Sequence, residues 1–121
     1  MSIINFIQIG CSIREGSPTF LNAIERAKIP YAVSFMYVSN ENAQGRDCAP
    51  YGSDEATTIV MVDEKSIDGR ASAYLEVKDK VIILLPATQP QRDFNLGMAV
   101  GISSTLAPGV YIANNGKVSR V

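Results

Sequence analysis

The chain has 121 residues, 46% of them hydrophobic and 19% charged, and eleven basic against twelve acidic residues give a net charge of −1. This length supports a single hydrophobic core, so we expect one domain over residues 1–121. The basic residues form no stripe that would neutralise phosphates, which argues against nucleic-acid binding, and the apolar runs are too short to span a bilayer. Residues 1–10 lack the pattern of a signal peptide, so we expect synthesis in the cytoplasm.

The reactive side chains argue against catalysis. The chain contains no histidine, which removes the commonest general acid–base and every histidine-dependent triad. Cys11 and Cys48 lie far apart in the sequence, and we expect both to remain free thiols in a reducing compartment. Two lone cysteines also make no metal-ligand cluster. We therefore predict a protein that is not an enzyme, with no catalytic residue, no metal site and no cofactor.

The N-terminal third predicts a strand, a helix and a second strand. Ile3–Ile9 is apolar and rich in β-branched residues, as in a first strand or an ordered N-terminal arm. Ser17 is a suitable helix cap and Pro18 a suitable first helical residue, and the apolar residues that follow recur at helical spacing. We therefore expect one short α-helix near residues 17–28. The sequence "YAVSFMYVS" after it is typical of a strand.

The rest of the chain contains mostly strand and turn signals. Residues 40–55 form a long polar connection, and loops of this length usually make functional contacts. The segments "ATTIVMVDE" and "ASAYLEVKDKVIILLP" predict further strands, whereas "EKSIDGRASAYLEVK" has poor helical periodicity. The C-terminal "GVYIANNGKVSRV" places Asn115 and Gly116 between two strand-like runs, which is the signature of a type I′ hairpin.

The segment "ATQPQRDFNLGMAVG" supports the first of two functional hypotheses. Together with "IGCSIREGS" it resembles nucleoside deoxyribosyltransferases and nucleotide N-glycosidases, which carry a Glu between an aromatic residue and Leu-Gly. That chemistry needs a carboxylate to attack or stabilise the sugar carbon. Asn95 occupies this position, and Asp93, two residues away, would point elsewhere. The resemblance implies an α/β nucleotide binder without glycosidase activity.

The second hypothesis explains more of the chain. Residues 30–121 resemble the decoration or cement proteins of tailed-phage heads, through "AYLEVKDKVIILLP", "DFNLGMAVG" and "LAPGVYIANNGKVSRV". The resemblance implies a mainly β single domain, a barrel or a sandwich, in which Asn95 is an ordinary polar residue of a strand. We take as the leading hypothesis a structural protein that binds the outer surface of the assembled phage capsid and stabilises it.

The decoration hypothesis also implies partners and contact residues. The major capsid protein is the expected partner, with self-association as a dimer or trimer on the exterior of the virion. An N-terminal arm within residues 1–16 and the long polar loop are the expected contact segments. The candidate contact residues are Ile4, Phe6, Ile7, Arg14, Arg46 and Asp47. The alternative interpretation of the three apolar residues is that they belong to a core strand. The alternative for the three charged residues is that they are ordinary solvated surface residues.

Overall fold

The computed structural model describes residues 3–9, 32–38, 57–77, 79–87 and 91–121. These residues contain six strands and two α-helices. The strands are β1 (Ile3–Ile9), β2 (Ala32–Val38), β3 (Thr57–Val62), β4 (Val81–Pro86), β5 (Gly109–Asn114) and β6 (Lys117–Arg120). The helices are α1 (Ile67–Ala73) and α2 (Gln91–Ile102), and single 3-10 turns span Glu64–Ser66 and Ser103–Thr105.

All six strands belong to one sheet, in the order β2-β1-β3-β4-β5-β6. Strands β1 to β5 pair in parallel, and β6 returns antiparallel to β5. Because β2 and β3 flank β1 on opposite sides, the order of the strands reverses direction at the boundary between β1 and β3. We call the edge where the parallel strands end the carboxyl edge, and the edge where β4 and β5 begin the amino edge.

The strand-rich character expected from the sequence is confirmed, but the described strands form one open sheet and not a barrel or a sandwich. Within the described ranges β2 and β6 each pair on one side only, so the sheet does not close. In β3 and β4 every residue after the first is buried. Such unbroken apolar runs are typical of parallel strands that are covered on both faces. The helix expected near residues 17–28 lies outside the described residues.

Within the described ranges, each face of the sheet packs against one helix. Successive residues of a strand point to opposite faces, and the core accordingly divides into two clusters. The cluster under α2 contains Ile4, Phe6, Ile59, Met61, Ile83, Leu85, Ala87, Leu96, Ala99, Tyr111 and Ala113. The cluster under α1 contains Ile7, Val60, Val62, Ile67, Ala71, Tyr74, Ile82, Leu84 and Val110. The layers are therefore helix, sheet and helix.

Helix α1 lies in the segment where the sequence showed poor helical periodicity, so that interpretation was wrong. Ile67, Ala71 and Tyr74 occupy positions i, i+4 and i+7 and all pack on the sheet. The carboxylate of Asp63 accepts a hydrogen bond from the Lys65 backbone N–H at 3.2 Å and so caps the preceding 3-10 turn. The helix is short and Gly69 lies inside it, which weakened the periodic signal.

The two helices give the crossovers an unusual geometry. Helix α1 connects β3 to β4, and α2 connects β4 to β5, so both connections step in the same direction along the sheet. Since the helices pack on opposite faces, one of the two crossovers is left-handed. About 98% of such connections are right-handed, so the usual handedness rule would place both helices on one face.

The N-terminal segment is a central strand. Strand β1 lies between β2 and β3, and the side chains of Ile4, Phe6 and Ile7 are buried. These three candidate contact residues belong to the core of the structure, which is the alternative that the sequence left open for them. Their apolar, β-branched character reflects burial on both faces of a parallel sheet.

The C-terminal hairpin forms where the sequence placed it. Strands β5 and β6 pair with Asn114 opposite Lys117, and φ is 53° at Asn115 and 73° at Gly116. Both central residues of a type I′ turn require positive φ, which Asn tolerates and Gly adopts freely. A Cβ on Gly116 would also lie 3.3 Å from Cε1 of Phe94. The turn therefore depends on a glycine for its backbone conformation and for space.

We expect Gly116→Val to lower the free energy of unfolding by about 1–3 kcal/mol, because a β-branched residue is strained at this φ. Urea unfolding followed by circular dichroism measures the change. Asn115→Gly is the matched control, since glycine adopts positive φ without strain, and we expect it to cost much less. Equal midpoints for Gly116→Val and the parent protein would show that the turn is not type I′.

Candidate ligand-binding edge

The carboxyl edge is where open parallel sheets usually bind ligands, at the point where the strand order reverses. Here that point lies between β1 and β3. Asp63 directly follows β3 and is exposed to solvent. Ala87 directly follows β4, and its backbone N–H donates to the Val62 carbonyl at 2.9 Å. This bond continues the pairing of β3 and β4 to the carboxyl edge, so the ends of the two strands are held together there.

Helix α2 begins at this edge, so its N-terminus lies there. The aligned peptide groups leave a partial positive charge at a helix N-terminus. Arg92, in the first turn, is fully buried, and its Nε donates to Oδ1 of Asp93 at 3.3 Å. The Asp93 side chain is partly exposed and offsets part of the charge. The helix dipole favours an anion near the start of α2, whereas the fully buried Arg92 is paired with Asp93.

Asn95 has a structural contact. Its side chain is 1% exposed, and its Oδ1 accepts a hydrogen bond from the Gly116 backbone N–H at 3.3 Å. The amide therefore ties α2 to the turn of the C-terminal hairpin. Its Nδ2 is buried and has no hydrogen-bond partner among the described residues. The residue lies in a helix and not in a strand, so the placement implied by the decoration resemblance was wrong.

Phe94 presents an aromatic ring at the same edge. It is 67% exposed, more than Leu75 or Val121, the other two large hydrophobic residues that are exposed in the described part of the chain. The ring lies beside the hairpin turn, where its Cε1 is 3.3 Å from the position that a Cβ on Gly116 would take. An exposed aromatic face of this kind stacks well on a planar ligand.

The structure separates the residues singled out from the sequence. Asn115 and Gly116 form the hairpin turn at the carboxyl edge, and the apolar candidates of β1 lie in the core. The three charged candidates Arg14, Arg46 and Asp47 and the two cysteines, Cys11 and Cys48, lie outside the described ranges.

Sequence reasoning missed the exposed Phe94 at this edge and the buried Arg92 near the start of α2. Had "DFNLGMAVG" been interpreted as a helix, the spacing of Leu96 and Ala99 would have marked its buried face. Phe94 then falls away from that face, where an aromatic residue is unexpected. The burial of Arg92 has no such signal, because its position depends on how α2 packs against the sheet.

Comparisons with known proteins gave no relative: no family model, curated protein or solved structure matched the chain. Across the described ranges, no three acidic or cysteine side chains lie close enough together to hold a metal ion. The helices of the described part are also too short or too polar to cross a membrane.

Proposed function

We propose that this protein binds a nucleoside or nucleotide at the carboxyl edge of its sheet and does not cleave it. The strand order β2-β1-β3-β4-β5 is the observation that carries the proposal. Doubly wound sheets with this order bind their ligands at the carboxyl ends of the strands, beside the boundary between β1 and β3. A fold alone does not determine function, so the class of ligand depends on the residues at this edge.

The residues at the start of α2 favour a ligand that is both anionic and aromatic. A phosphate is suited to the helix N-terminus, where the helix dipole supplies a partial positive charge. A base is suited to the exposed ring of Phe94, because stacking accepts any planar base. A nucleotide joins these two groups in one molecule. Phosphate and base recognition at adjacent residues therefore supports a nucleotide over a simple anion.

The lack of cleavage follows from Asn95. Release of a base needs a carboxylate beside the sugar carbon, as nucleophile or as stabilising charge. The amide of Asn95 is neutral and a poor nucleophile, and its oxygen already accepts a hydrogen bond from the hairpin turn. Substrate would therefore be held without being hydrolysed.

Thermal unfolding with the eight common ribo- and 2′-deoxyribonucleoside 5′-monophosphates tests the proposal. At ten times its dissociation constant a ligand stabilises the folded state by about 1.4 kcal/mol. For a chain of this size that is a rise of roughly 3–8 °C in Tm. We expect at least one nucleotide to produce it, with no free base detected by chromatography after prolonged incubation. No rise with any of the eight, at millimolar concentration, would contradict nucleotide binding.

A pair of matched variants locates the site. Phe94 and Leu75 are both exposed, but Phe94 lies at the carboxyl edge, whereas Leu75 follows α1 near the amino edge. We expect Phe94→Ala to reduce nucleotide affinity by about fivefold or more, the usual effect of losing one stacking contact. Leu75→Ala is expected to leave the affinity unchanged. Equal losses in both variants would place binding elsewhere.

The capsid-decoration hypothesis is the competing proposal, with the major capsid protein as partner and attachment to the virion exterior. The outermost strands, β2 and β6, pair on one side only in the described part of the chain. This supports the decoration hypothesis, because an unpaired side of a strand can form contacts with neighbouring subunits in a lattice. The "DFNLGMAVG" segment does not support the decoration hypothesis, since these residues lie in helix α2 and not in a strand. Heating particles with and without the added protein distinguishes the two proposals. A higher opening temperature when the protein rebinds would favour decoration over nucleotide binding.

A further inference from the structure

A cavity lies at the amino edge, at the opposite end of the strands from the proposed nucleotide site. Its volume is about 290 Å³, close to the lower limit for small-molecule pockets. The wall is built from the turn after α1, the residues around the start of β5, and the end of β6. None of the residues that line the cavity lies at the carboxyl edge.

The lining of the cavity is mostly apolar and partly open to solvent. Leu75 and Val121 both line it and are 47% and 50% exposed. Val77 and Pro108 add further apolar surface. An apolar ligand would remove this surface from water at about 25 cal/mol for each Å² buried. Two of the three exposed large hydrophobic residues in the described ranges thus converge on one cavity.

Arg120 supplies the charge of the cavity, and three neighbours hold it in place. Its Nη2 donates to the Pro108 carbonyl at 3.2 Å, and its guanidinium carbon lies 5.8 Å from the centre of the Tyr111 ring. A Cβ on Gly109 would lie 3.0–3.1 Å from the guanidinium of Arg120, so the absence of a side chain at Gly109 leaves space for that guanidinium. The cation is positioned before any ligand arrives.

The charge of the side chains that line the cavity indicates which charge a bound ligand would carry. Arginine has five N–H donors, and the Pro108 carbonyl accepts from one nitrogen in the described part of the chain. None of the side chains that line the cavity is acidic. A planar guanidinium with donors to spare is suited to bind a carboxylate through two parallel hydrogen bonds. The volume holds about ten water-sized groups.

From these observations we propose that the amino-edge cavity binds a small organic acid, with its carboxylate on Arg120 and a short apolar tail against Leu75 and Val121. The proposal is independent of nucleotide binding at the other edge. Octanoate has the size and the chemistry required and is the probe of choice. For a ligand of this size we expect a dissociation constant on the order of 0.1–1 mM.

Titration of the protein with octanoate, followed by amide chemical shifts, tests the proposal. We expect saturable shifts around Gly109 and Arg120, and much weaker binding of neutral octanamide. Arg120→Gln should weaken octanoate binding at least tenfold. Lys117→Gln removes an exposed cation from the other end of β6 and should change it less than twofold. Leu75→Ser, at an exposed residue that can be changed without disturbing the core, should weaken binding about threefold or more.

Three outcomes would overturn the proposal. The first is no saturable shift at 10 times the expected dissociation constant, and the second is equal octanoate affinity in Arg120→Gln, Lys117→Gln and the parent protein. The third is a concentration-dependent dimer that Leu75→Ser dissociates while octanoate does not bind, which would make a second copy of the chain the occupant. Phe94→Ala, at the opposite edge, should leave octanoate affinity unchanged and so separates this site from the nucleotide site.

Discussion

Phe6→Ala is expected to lower the free energy of unfolding by about 3–5 kcal/mol, a large part of the total stability of a typical domain. Phe6 lies at the centre of the sheet, opposite Phe35 of β2 and Ile59 of β3 in the strand register. Its side chain is fully buried in the cluster under α2. Truncation to alanine removes apolar contacts and leaves a cavity that the surrounding strands cannot fill. Urea unfolding monitored by circular dichroism measures the loss.

Phe94→Ala is the matched control for this prediction. It deletes the same ring from an exposed residue, so we expect a change within about 0.5 kcal/mol. An N-terminal arm that docks on a partner would give a different result, because Phe6→Ala would then leave the stability of the free protein unchanged. That outcome would contradict the placement of β1 at the centre of the sheet.

Asn95→Glu is expected to lower the free energy of unfolding by several kcal/mol and to create no base-releasing activity. The side chain at this position is 1% exposed, and burial of an ionised carboxylate carries a large desolvation cost. Burial should raise the pKa of the introduced Glu above its value in the unfolded chain. The folded state then binds the proton more tightly, so the penalty should be smaller at pH 5 than at pH 8.

Two controls separate the causes of this effect. Asn95→Gln has the same length as the Glu variant and no charge, so it measures the cost of the added methylene alone, about 1–3 kcal/mol. Gly97→Glu adds the same charge in the same helix at an exposed site with open space around it, where we expect no loss of stability. Release of free base from a nucleotide by Asn95→Glu would show that only the missing carboxylate prevents catalysis.

The strands and the hairpin are the parts of the fold that the sequence predicts well. Strands β3 and β4 are unbroken apolar runs, and the Asn115-Gly116 pair has a specific backbone requirement that few other residues meet. Both signals are local, so they do not depend on the rest of the chain.

The pairing of the strands depends on non-local contacts, and here the sequence misled. The apolar runs of β3 and β4 are compatible with two structures, a parallel sheet covered on both faces or the interior of an all-β module. Interpreting Asp93–Gly101 as a β segment favoured the second, although Leu96 and Ala99 have helical spacing on the core side of α2. No rule of periodicity predicts helices on opposite faces of one sheet when the crossovers step in the same direction.

The candidate site was predictable only in part. Asn95 was identified as the decisive residue, because a missing carboxylate at a recognisable position is visible in the sequence. Its hydrogen bond to Gly116 joins residues 21 positions apart and is set by the packing of α2 beside the hairpin. The exposure of Phe94 and the burial of Arg92 arise from the same packing, so they too required the structure.

The most direct test of nucleotide binding at the carboxyl edge is an amide chemical-shift titration with the nucleotide that raises Tm most. If the nucleotide binds at this edge, we expect saturable shifts at Asp63, Phe94 and Gly116, with little change at Gly109 and Arg120 at the amino edge. We also expect the nucleotide to be recovered intact afterwards. Shifts confined to the amino edge, or no saturable shifts at any residue, would contradict binding at the carboxyl edge.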